Sequence, residues 1–156
     1  DGSLFLCVST YPIMFLYRQF IELYIKDILS RFDPEFNGRK PPYSKHNIYN
    51  LWKKLLEIVK GHLNYFPQEV ENTQFTDILI STDDYMAEIA IFDRDSLAFR
   101  YPDDKTHTKI FFPNEIPVDL VNIKYRIDEL ANILFLIEET FVSVKTIENE
   151  LNSMTF

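Results

Sequence analysis

The chain has 156 residues, the size of one compact domain, and at this length folding removes roughly two-thirds of the unfolded surface from water. Apolar residues make up 46% of it, with 14 Phe, 9 Tyr and 1 Trp spread throughout, which excludes intrinsic disorder and any need for a disulfide or metal staple. A net charge of −8 argues against a dedicated double-stranded DNA binder, and the lone Cys7 rules out an internal disulfide and fits a reducing, cytoplasmic setting.

Asp1-Gly2-Ser3 shows no basic leader or small-residue cleavage site, so no secretory signal is expected there. Tyr11 to Phe32 predicts a long amphipathic helix, with Met14, Tyr17, Ile21, Tyr24, Ile25, Ile28 and Phe32 on one broad face. Pro12 suits its first turn, and Asp33-Pro34 its stop. Arg18, Glu22, Lys26 and Asp27 break the apolar run, so it is no membrane span. After a loop over 35–43, Ser44 is the expected N-cap of a second helix reaching about Tyr65. Residues 68–81 stay ambiguous. Ser81/Thr82 followed by Asp83-Asp84 predicts the start of a third helix, through about Phe92. Leu97 to Pro117 reads as two short extended arms around Asp103-Asp104-Lys105, a small hairpin-like insert. Asp119 then caps the longest helix, whose apolar rhythm from Leu120 to Ile147 carries it to about Asn149. Helices with wide apolar faces must pack on one another. The predicted fold is therefore all-α: one domain over 1–156, an up-and-down bundle of four to five helices with a hairpin-like insert at 97–117.

The usual catalytic signatures are missing. No GxGxxG or GxxxxGK[ST] loop cradles a phosphate, and His46, His62, His107 and Cys7 share no metal-ligand spacing, so neither cofactor nor metal is expected. Charge is uneven: residues 17–62 hold nine basic against five acidic side chains, and residues 63–156 seven against eighteen. A polyanion would therefore meet the first third of the chain. There, Arg18, Glu22 and Lys26 recur at i, i+4 and i+8, either as a solvated stripe of ion pairs or as a polar seam in a groove. Behind the basic loop at Arg39-Lys40, His46 and Asn47 are placed at the first turn of helix two. A helix mouth attracts anions and disfavours imidazolium, which suits a neutral general base; a surface or capping histidine is the alternative. Arg100, between Phe99 and Tyr101 in an extended arm, either packs its stem or reaches a partner.

Three segments occur together and in order: Tyr17-Arg18-Gln19-Phe20-Ile21-Glu22-Leu23-Tyr24-Ile25-Lys26, His46-Asn47-Ile48-Tyr49-Asn50-Leu51-Trp52, and Asp95-Ser96-Leu97-Ala98-Phe99-Arg100-Tyr101-Pro102. The pattern resembles uncharacterised bacterial proteins that are similar to the HEPN superfamily of helical bundles, over about residues 11–105. The resemblance implies a bundle that commonly forms a homodimer. Some members are binding or scaffold modules; active members are metal-independent ribonucleases of toxin–antitoxin, abortive-infection and CRISPR systems, with an arginine and a histidine separated by four to six residues. Arg39 and His46 stand at the upper end of that spacing, with Lys40 where a small polar residue is usual. The leading expectation is a non-catalytic binding module for an RNA, a nucleotide or a protein partner, using Arg18, Glu22, Lys26, Asn47, Arg100 and Tyr101. The alternatives are an endoribonuclease with His46 as base and Arg39 or Arg18 steadying phosphate, and a purely structural interaction domain.

Overall fold

The computed structural model describes residues 2–71, 73–92 and 119–154. Among them are four α-helices: α1 (Gly2–Phe32), α2 (Ile48–Gly61), α3 (Phe75–Phe92) and α4 (Leu120–Met154). A 3-10 turn over Leu63–Tyr65 follows α2, and a two-stranded antiparallel hairpin, β1 (Glu69–Val70) with β2 (Thr73–Gln74), leads into α3. Glu71 takes a φ of 51° in the hairpin turn, the left-handed geometry that tight hairpin turns demand. The hairpin-like insert expected at 97–117 lies outside the described residues.

Local chemistry explains where each helix begins. α1 continues through Pro12 to Gly2, so Pro12 is interior and not in the first turn. α2 is capped by Asn47 and not Ser44: Asn47 is extended (φ −80°, ψ 100°) and its Oδ1 accepts from the Asn50 N–H at 3.0 Å. Ser44 instead donates its N–H to the Lys40 carbonyl at 3.0 Å, within the turns of the loop. α3 starts six residues before Ser81. The two hydroxyls that resembled caps bond back to carbonyls one turn earlier, Ser81 to Asp77 at 3.0 Å and Thr82 to Ile78 at 2.7 Å. At α4 the expected cap holds: Asp119 Oδ1 accepts from the N–H groups of Val121 (3.1 Å) and Asn122 (3.0 Å).

Side-chain contacts give the helix directions. His46, just before α2, meets Arg18 and Glu22 in the middle of α1, and Lys54 then reaches Glu35 beyond the end of α1 at 3.0 Å. α2 therefore runs in the same sense as α1, which departs from the expected up-and-down order. The loop 33–47 carries the chain back, pinned where the buried Tyr43 hydroxyl donates to Asp33 at 2.5 Å. α3 returns antiparallel to α2: Phe75 stacks on Phe66 past the end of α2 (4.9 Å, 9°), and Asp83 accepts from Trp52 Nε1 at 3.0 Å. α4 follows α1 again, from Tyr17 beside Leu120, through Tyr24 and Arg31 on Glu138, to Phe32 against Phe141. The core lies where these faces meet, around Ile25, Ile28, Trp52, Leu55, Leu134 and Ile137, all fully buried. None of the helices searched among the described residues is long and apolar enough to cross a membrane.

Candidate functional site

The stripe Arg18–Glu22–Lys26 faces the start of α2: it keeps its i, i+4 ion pairs, but Arg18 and Glu22 are buried and not solvated. Arg18 and Glu22 are each 1% exposed, yet both are ionisable, so their burial requires mutual pairing. Arg18 Nη1 donates to Glu22 Oε2 at 2.6 Å, and Arg18 Nη2 donates to the backbone carbonyl of His46. Glu22 Oε1 receives two further groups, Lys26 Nζ and His46 Nδ1, each at 2.8 Å. One carboxylate thus gathers two cations and an imidazole from two elements.

Burial alone would raise the Glu22 carboxyl. The hydrogen bonds from Lys26, Arg18 and His46, with the charge of Lys26, outweigh it and hold the group below its ordinary value of 4.5. The exposure of the partners is graded: Arg18 1%, Lys26 23%, His46 57%. Arg18 is the inner strut, its guanidinium committed to Glu22 and the His46 carbonyl. Lys26 and His46 face outward. With Nδ1 on Glu22, the His46 Nε2 is the ring nitrogen left to meet a ligand.

His46 precedes the N-cap and so lies outside the helix, not in its first turn. Asn47 is buried, and its side chain is spent on the cap. Arg39 is exposed on the return loop, its backbone N–H on Asn37 Oδ1 at 3.1 Å, and its guanidinium is not among the groups on Glu22. Arg100 and Tyr101 lie outside the described residues. Gln19, beside Arg18, buries an Oε1 that has no hydrogen-bond partner. The Glu22–His46 bond had no signature in the sequence, because the return loop and not helical spacing brings the pair together. Among the described residues no group of three or more His, Cys, Asp or Glu is arranged to hold a metal ion. No family model, curated protein or solved structure matches the chain.

Proposed function

We propose that this chain is a HEPN-like binding module that holds an anionic ligand, the phosphate of an RNA or a nucleotide, at the mouth between α1 and the start of α2. The observation that supports it is the Glu22 cluster: one buried carboxylate neutralises one of two adjacent cations and presents Lys26 and the His46 imidazole side by side at the surface. An anion entering there gains charge-assisted hydrogen bonds from groups already immobilised by Glu22, so little side-chain entropy is lost. Arg18 acts by positioning, since its bond to the His46 carbonyl fixes where the imidazole stands.

The Glu22–His46 contact also favours a second reading, a metal-independent endoribonuclease. A carboxylate on Nδ1 orients an imidazole so that Nε2 can take a proton, here that of a ribose 2′-hydroxyl. Lys26 would then stabilise charge developing on the phosphate, with Arg39 supplied from the loop.

One set of measurements separates the readings. A fluorescein-labelled single-stranded RNA is titrated with wild type, His46→Ala and Lys26→Ala, and the same RNA is incubated with each in EDTA. The binding module predicts saturable binding by wild type, weakened about tenfold or more by either substitution, and intact RNA. Absence of wild-type binding overturns it. Cleavage by wild type but not by His46→Ala replaces it with the ribonuclease.

A further inference from the structure

The last turns of α4 present a surface unrelated to the Glu22 cluster. The final buried residue of the helix is Val144, beside the point where Phe141 meets Phe32 and Lys145 Nζ reaches the Arg31 carbonyl. From Lys145 to Met154 every residue is exposed, yet the helix continues. Ile147, Leu151 and Met154 recur at i, i+4 and i+7, between 49% and 82% exposed, and Val144 extends the same stripe toward the body. Tyr65, half exposed on the 3-10 turn, borders it across a groove lined also by Glu139, Thr140, Ser143, Val144 and Ile147.

Among the described residues of α4, the charges beside the stripe are acidic. At about 100° per residue, Glu139 and Glu150 flank it on one side and Glu148 on the other. Lys145 points away, toward Arg31 and the Phe32 ring. Among the described residues, three acids thus rim the apolar ridge, and Lys145 is turned away from it. A second copy packed on the same stripe would bring like charges together, and an anionic lipid surface would be repelled by the same rim.

We infer that the ridge formed by Val144, Ile147, Leu151 and Met154, with Tyr65, is a docking surface for a cationic amphipathic helix of a partner protein. The apolar side chains of that helix cover Ile147 and Leu151, and its Lys or Arg residues pair with Glu139, Glu148 and Glu150, the helix-on-helix mode in which i, i+3 and i+4 anchors carry recognition.

The test uses a labelled designed helix of Leu and Lys, its Leu/Glu counterpart, and two variants of the full chain. Ile147→Asp with Leu151→Asp removes the ridge, and Glu148→Lys with Glu150→Lys reverses the rim; all four sites are exposed, and circular dichroism checks that each variant folds. The expected result is saturable anisotropy with the Leu/Lys helix, at least about tenfold weaker with the Leu/Glu helix and with either variant. Added acid increases non-specific attraction for a cationic peptide, so a loss on Ile147→Asp with Leu151→Asp reports the ridge itself. Equal binding of the two peptides, or binding indifferent to the ridge variant, overturns the inference. So does a dimer in light scattering that this variant dissociates, which assigns the ridge to a second copy, or flotation with phosphatidylcholine vesicles that it abolishes, which assigns it to lipid.

Discussion

Glu22 shows how a buried charge is retained. Its carboxylate is excluded from water, so its stability rests on the three groups it accepts from, and each of those is oriented in return. Removing Arg18 leaves the carboxylate short of a partner and the His46 carbonyl without its donor. Arg18→Ala is therefore expected to destabilise the fold by about 3 kcal/mol in urea unfolding, whereas Arg18→Met combined with Glu22→Leu costs less than the sum of the single changes. The same residue sets an acid limit. The folded Glu22 carboxyl titrates below its ordinary 4.5, so its ionised form contributes stability above that pH, and the contribution is lost as pH falls through the folded value. Glu22→Gln should flatten the unfolding midpoint between pH 5 and pH 3, an interval about that ordinary value.

At the scale of elements, the start of α2 joins fold to site. Asn47 caps the helix and, by ending it there, leaves His46 free to turn toward Glu22. Asn47→Ala should lower stability by about 1 kcal/mol and weaken binding of the RNA probe, while Asn47→Asp restores both, read by thermal unfolding and anisotropy side by side. The helices themselves were legible where one face was apolar and a cap stood alone, as with Asp119 and α4. They were misread where several residues competed to cap. Ser44 and Ser81/Thr82 have the right chemistry, but Ser44 is held in a turn and the other two hydroxyls bond within a helix already begun. Arg18, Glu22 and Lys26 were visible as a stripe. Their partner His46 lies 24 residues from Glu22, and no periodicity reports a contact made by a loop running backward.

Over the whole molecule, that backward loop makes α1, α2 and α4 run alike with α3 opposed, and two tyrosines fasten the arrangement. Burial, and the Glu138 carboxylate its hydroxyl bonds, push the Tyr24 phenol up to about 12 between α1 and α4. Burial and Asp33 push Tyr43 up to about 12 where the loop folds back. Both phenols stay neutral in the folded chain after their unfolded counterparts ionise, so their contribution is complete below pH 10 and disappears as pH rises through about 12. Burial also raises the Tyr85 phenol, so absorbance at alkaline pH should show several late-ionising tyrosines, one removed by Tyr24→Phe and another by Tyr43→Phe.

Trp52 gives the molecule a built-in optical gauge. It is the sole tryptophan, shielded completely from solvent, and its indole N–H is satisfied by Asp83 across the α2–α3 joint. Its emission therefore reports α3 lifting from α2. A red shift on Asp83→Ala with an otherwise native circular dichroism spectrum would calibrate that gauge.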